Sequence, residues 1–256
     1  SSLIEFSDHL AYNSRSDCCP SNGHPSESPS WECATVNRIL LFLLLSTCFL
    51  ISNDAVTAEP DPFARWEKAI AAMEQKDRKS KPPQGAVLFA GSSSTRLWNL
   101  ETSFPGIPSI NRGFGGSKIA DSTHFASRII LPQRPRIIIL YAGDNDIQGG
   151  KKAEDVHRDF MKFVQTIHAE LPETRIVFIA IKPSIKRWRL VDEMRKANAF
   201  IAAEARENPK LGYVDIDMPM IGKDGLPRKE LFADDGLHLN EAGYRIWTDL
   251  VKPLLQ

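Results

Sequence analysis

The chain has 256 residues, 42% of them apolar and 25% charged, a composition that suits a globular domain large enough to bury a real core. Its formal net charge is zero, and beyond residue 58 it rises only to +4, 30 basic against 26 acidic residues, because that front end holds just Arg15 and Arg38 against Glu5, Asp8, Asp17, Glu27, Glu32 and Asp54. A charge so small and scattered excludes nucleic acid as the main partner. Cys18, Cys19, Cys33 and Cys48 all precede Glu59, so a fold beginning there is held by its core without disulfides.

Residues 1–35 mix Ser, Pro, Asn and charge without a sustained period, and read as a disordered or non-native upstream segment. Residues 36–58 read as a secretory signal. Asn37-Arg38 precedes a 13-residue apolar run, Ile39 to Ile51, too short for stable membrane insertion, and Val56-Thr57-Ala58 supplies small residues for cleavage before Glu59. The expected location is secreted or periplasmic. Leu45-Ser46-Thr47-Cys48 also resembles a lipoprotein processing box, which would lipidate Cys48.

Residues 59–256 form the expected domain. Phe63, Trp66, Ala69, Ile70 and Met73 follow a helical period, and Lys76 to Pro83 reads as a polar linker. Ala86 to Phe89 is a short apolar run bounded by glycines, the mark of a buried parallel strand. It ends in Gly91-Ser92-Ser93-Ser94, and a serine just past a central strand lies where open α/β sheets bind ligands. A Gly-Ser cluster alone is loop punctuation; it gains chemical meaning only from partners.

Ile107 to Ile110 predicts a second strand, ending in Asn111-Arg112-Gly113-Phe114-Gly115-Gly116, either a surface turn or a close ligand approach. A helix follows over Lys118 to Ile130. Ile137 to Tyr141 is the clearest buried strand and terminates in Gly143-Asp144-Asn145-Asp146. Ala153 to Ile167 is an amphipathic helix, with His157 and His168 as surface or boundary residues, and Ile176 to Ile181 a further strand. The basic loop Lys182 to Arg189 then reads as a solvated edge, since one Trp and four cations do not make a nucleic-acid platform. Val191 to Ala205 is helical, Leu211 to Ile216 is the last strand, and Asn240 caps a final helix to Leu250. Five strands alternating with helices predict a parallel sheet covered on both faces, a three-layer α/β/α sandwich.

Serine at neutral pH needs a base to take its proton, and a histidine base needs an acid to fix its tautomer. Asp235-Gly236-Leu237-His238 sets both in a loop after the last strand. Together with Gly91-Ser92-Ser93, Asn111 to Gly116 and Gly143 to Asp146, this resembles the SGNH, or GDSL, family of serine esterases and lipases. The resemblance covers Gly91 to His238 and implies a flavodoxin-like five-stranded fold and no cofactor or metal. It implies Ser93 as nucleophile, with Ser92 and Ser94 as alternates, Asp235 and His238 as acid and base, and the Ser93 N–H, Gly116 N–H and Asn145 amide as oxyanion donors. Ser92 stands where the family commonly has Asp, similar to a Gly-Ser-Ser-Ser-x-Arg-x-Trp variant of the same superfamily.

Small acyl esters, acetyl in particular and carried on a carbohydrate or other small molecule, are the expected substrates, with Arg96, Asn111, Arg112 and Trp188 as contacts and Arg187 as a further anion contact. Competing expectations are a longer-chain lipid esterase or lysophospholipase of the same fold, a metal-dependent phosphoesterase built on Asp144, Asp146, Asp215 and Asp217, and a non-catalytic carbohydrate-binding module stacking sugars on Trp98 and Trp188. Oligomeric state is not legible.

Overall fold

The computed structural model describes residues 61–255; the leader, Cys48 and the other cysteines lie outside them. Five strands, β1 (Val87–Gly91), β2 (Ser109–Gly113), β3 (Ile137–Tyr141), β4 (Arg175–Ile179) and β5 (Leu211–Val214), form one sheet in the order β2-β1-β3-β4-β5. Every pairing is parallel. This is the expected flavodoxin-like α/β/α sandwich, whose strand order reverses beside β1.

Alternate residues of each strand point to opposite faces, which explains why β1 and β3 are apolar throughout. One face presents Leu88, Ala90, Ile138, Leu140, Ile176 and Phe178 to α1 (Glu67–Lys79), α4 (Ile119–His124), α5 (Ala126–Ile129), α7 (Ala153–Glu170) and α8 (Val191–Glu207). The other presents Val87, Phe89, Ile137, Ile139, Tyr141, Val177 and Ile179 to Trp98, α3 (Leu100–Ser103) and α9 (Glu241–Val251). Two short helices, α2 (Ser93–Leu97) and α6 (Asp144–Gln148), begin at the carboxyl ends of β1 and β3.

Local chemistry sets the element ends. Helix α7 buries Val156, Phe160, Phe163, Val164 and Ile167 on one stripe, and Asp155 Oδ2 accepts from the Lys152 N–H at 3.2 Å to close its first turn. Asn240 caps α9 as expected, its Oδ1 accepting from the Gly243 N–H at 3.1 Å. Burying Trp247 and Val251 from that helix contributes about 2–3 kcal/mol each.

Several expectations need correction. Helix α1 runs to Lys79, into the first half of the expected linker, and only Ser80 to Pro83 of that linker are without helix. The helix expected over Lys118 to Ile130 is two, broken at Phe125, whose ring packs edge-on against Phe63, Phe114 and His124. Strand β2 begins at Ser109 and continues through Asn111 and Arg112. His157 and His168 are half-buried as expected, bonded to Glu204 and to the Thr174 carbonyl.

Candidate active site

Register brings the site together. Gly91 pairs with Gly113 of β2 and Tyr141 of β3, so three strands end in one row and release their loops toward one cleft. Gly91 is required there: its φ is +125°, and a Cβ would stand 1.9 Å from the Tyr141 carbonyl oxygen. Gly113 is the matching close approach on the other side, where a Cβ would meet the Arg96 backbone nitrogen at 2.2 Å.

Of the three serines, Ser92 and Ser94 are buried and Ser93 is half-exposed at the first position of α2. Ser93 Oγ lies 2.9 Å from His238 Nε2, and His238 Nδ1 lies 2.5 Å from Asp235 Oδ2. A nitrogen facing a carboxylate carries the proton, so Nδ1 donates to Asp235 and Nε2 accepts from the serine hydroxyl. Asp235 also accepts from the backbone N–H groups of Leu237 and His238, both at 2.9 Å. Slight burial works against its charge, but these two N–H groups and the imidazole outweigh it and hold the carboxyl well below the usual carboxylate range.

The loop after β2 carries Gly115 and Gly116, the latter at φ +75°. Its carbonyls are turned outward by the segment before β1: Trp66 Nε1 donates to Gly115 O at 3.0 Å and Arg65 reaches Gly116 O at 3.5 Å. The Gly116 N–H finds no acceptor among the described residues. Asn145 Nδ2 donates to Ser117 O at 3.0 Å, and the Ser117 hydroxyl lies 3.1 Å from Gly91 O and 2.9 Å from Phe114 O.

Behind these residues the basic loop after β4 is a solvated edge only at Ile185, Lys186 and Arg189, which are exposed, while Lys182 and Arg187 turn inward. Lys182 is 1% exposed and donates to Ser94 Oγ at 3.2 Å, Tyr141 Oη at 2.8 Å and Asp144 Oδ2 at 3.2 Å. Arg187 donates to Asn145 Oδ1 at 2.9 Å and approaches Asp144 Oδ2 at 2.8 Å, at an angle too oblique for a hydrogen bond, so charge holds that pair. Burial disfavours the Asp144 charge, yet the Lys182 and Arg187 cations prevail and keep its carboxyl below the ordinary value. Burial pushes the Lys182 ammonium below its ordinary value and the Tyr141 hydroxyl well above its own. The sequence signal for this group is a lysine directly after an apolar strand, at the sheet edge where ligand sites collect.

The structure does not bring every expected contact into the cleft. Arg112 points to the opposite side of the sheet, buried on Asp77 at 2.6 Å and on Ile129 O at 3.0 Å. Asn111 spends its amide on Thr95 O, Trp98 O and the Gly113 N–H, tying α2 to β2. Trp98 is a core residue, packed on Phe89, Phe104, Tyr244 and Trp247 with its indole N–H on Ser103, and offers no stacking face. Arg96 is exposed beside Gly115, and Trp188 is half-buried with Arg195 5.6 Å from its ring centre. The four carboxylates of the metal expectation do not converge: Asp144 meets Lys182 and Arg187, Asp146 meets Lys151, Asp217 meets Arg195, and Asp215 accepts from the Asp217 N–H.

The sheet and cleft are those of a hydrolase of the esterase and lipase class, and comparison with known proteins agrees. Residues 89–246, more than half of the chain, match the GDSL-like Lipase/Acylhydrolase family, and the chain belongs to that family. Solved structures share the fold at low identity. A Streptococcus pneumonia protein named for platelet activating factor superposes with a TM-score of 0.67 at 19% identity, over 86% of this chain and 100% of its own. A GDSL-like lipase from Bacteroides thetaiotaomicron gives 0.60 at 20%, over 76% and 97%. A carbohydrate esterase family 3 protein from Talaromyces cellulolyticus gives 0.53 at 17%, over 66% and 95%. No curated protein matches the sequence significantly. Among the described residues no helix is long and apolar enough to cross a membrane.

Proposed function

We propose that the protein hydrolyses small acyl esters, acetyl esters of carbohydrates in particular, through Ser93, His238 and Asp235 and an acyl-enzyme. The observation that carries this reading is the continuous line from Ser93 Oγ through the His238 ring to Asp235, at 2.9 and 2.5 Å. His238 takes the serine proton as Oγ attacks the ester carbonyl, and Asp235 stabilises the imidazolium that forms. The oxyanion is met by the N–H groups of Ser93 and Gly116 and by the second amide hydrogen of Asn145, each donor contributing about 3 kcal/mol in the transition state. His238 then protonates the leaving alcohol, and a water activated by the same ring releases the acid. Ser93 is preferred to Ser92 and Ser94 because both neighbours are buried and Ser94 is held by Lys182. The small acyl group is supported by the glycine-walled loop at Gly115 and Gly116 and by the fold shared with an acetyl esterase and a carbohydrate esterase.

Turnover of p-nitrophenyl acetate, butyrate and octanoate by the purified protein tests this. Acetate should be the best substrate, and Ser93→Ala or His238→Ala should lower kcat by about 10^5–10^6-fold while EDTA changes nothing. Activity surviving Ser93→Ala would sink the assignment, and octanoate preference would move the substrate to longer lipid chains. We also propose export, from the apolar run Ile39 to Ile51 and the small residues before Glu59. Amino-terminal sequencing of material recovered outside the cytoplasm checks it, and an unprocessed chain found only inside the cell contradicts it.

A further inference from the structure

Hydrogen bonds and one ion pair behind Ser93 link into a ring that closes through the backbone. It starts at Ser94, passes to Lys182, to Asp144, to Arg187, to Asn145, to Ser117, and returns through the Ser117 hydroxyl to Gly91, three residues before Ser94. Three of its members are charged and nearly excluded from water, with side-chain exposures of 1% for Lys182, 6% for Asp144 and 11% for Arg187. With all three ionised the cluster carries a net charge of +1 directly behind the cleft. Nothing in the acyl-transfer chemistry itself calls for these ions.

We propose that Asp144, Lys182 and Arg187 are positioning residues that fix the Asn145 amide as an oxyanion donor and strengthen it through their positive field. The reason lies in the symmetry of the amide. A carboxamide has two ends of nearly equal size, and its orientation is set only by its partners. Here Oδ1 accepts from the Arg187 guanidinium and Nδ2 donates to Ser117 O. Turning the amide over would set NH2 against a cation and oxygen against a carbonyl, replacing two attractions by two repulsions. Nδ2 is thereby held with one hydrogen spent on Ser117 and the other available to the cleft. A cation drawing on the amide oxygen also makes the amide N–H groups better donors, as bonds in a chain polarise one another. Asp144 holds the guanidinium in place, and Lys182 holds Asp144 while bonding the serine next to the nucleophile.

This inference rests on the hydrolase reading, and a double-mutant cycle with an active-site probe separates the two. Arg187→Gln should lower kcat on p-nitrophenyl acetate by about 10–100-fold with KM within about twofold, since the lost interaction acts only on the oxyanion. The same substitution made in an Asn145→Ala background should cost less than about threefold, because the residue it positions is gone. Arg187→Lys, which keeps the charge but loses the fork, should fall between, and it runs through the same cycle if the Gln protein does not fold. Equal losses with and without Asn145, or a loss confined to KM, would overturn the positioning role. Labelling by a fluorophosphonate gives the second level. Ser93 labelled equally fast in wild type and Arg187→Gln overturns the inference alone, whereas an unlabelled wild type overturns the hydrolase reading and the inference with it.

Discussion

Two carboxylates paired with basic side chains flank Ser93, and the pairings are built on opposite plans. Asp235 and His238 are three residues apart in one loop, with side chains 39% and 29% exposed. Asp144 meets Lys182 and Arg187 from the end of the neighbouring strand, 38 and 43 residues away along the chain, and all three are almost fully buried. An exposed local pair contributes little to folding, about 0–1 kcal/mol, so it is free to change protonation during a reaction. A buried pair cannot lose one partner without leaving a charge stranded. The group proposed to take and return a proton therefore sits beside water, and the groups whose charge has to stay constant sit away from it.

Neutralising each acid in turn sharpens this contrast. Asp235→Asn should cost kcat about 10^4-fold, near 5.5 kcal/mol of barrier, because the imidazole loses the partner that selects its tautomer. Its urea midpoint should barely move, and a large shift would mean the loop pair is structural after all. Asp144→Asn should do the reverse in kind, destabilising the fold by about 3–5 kcal/mol in denaturant unfolding, since Lys182 and Arg187 remain buried without their counter-ion.

The same variant yields a pH signature. The folded-state Asp144 carboxyl titrates below its ordinary value, so its contribution is present above the unfolded value of about 4 and is lost as pH falls through the lower folded one. The stability gap between wild type and Asp144→Asn should be constant from pH 7 to 5 and shrink below about pH 4. A gap that stays flat to pH 2 would show that Asp144 is not ionised in the fold. The smallest effect belongs to Tyr244, whose hydroxyl donates to Ser94 O at 2.8 Å from α9. Tyr244→Phe should cost about 1 kcal/mol of stability and leave the Asp235 and Asp144 effects additive.

Strands β1 and β3 were legible because each is apolar on both faces: Ile137 to Tyr141 has the bounds read from sequence. Strand β2 was blurred because polar residues occupy it, Asn111 tied to the α2 turn and Arg112 neutralised by Asp77, a partner from α1 that no local pattern announces. The blocks at Ser93, Gly116, Asn145, Asp235 and His238 could be named because four short motifs in chain order resemble those of the GDSL family, which each motif alone would not have allowed. Lys182 and Arg187 lie outside those motifs and were misread. Four cations in eight residues look solvated until the fold supplies Asp144 and Tyr141 from β3 and its loop. Trp98 looked like a sugar platform because aromaticity alone does not tell a core ring from an exposed one.

The anchoring of the Gly115 and Gly116 carbonyls by Trp66 and Arg65 has a consequence for how the protein can be handled. The stretch ahead of the first strand was expected to supply a helix, and its first residues also form the outer brace of a cleft wall. A protease nick or a fusion junction downstream of Trp66 would leave all five strands and both carboxylate pairs intact. Such a shortened protein would lose the buried Trp66 ring from against Phe114 together with two of the bonds that orient its glycine loop, and an expression boundary chosen from the sheet alone would discard part of the cleft.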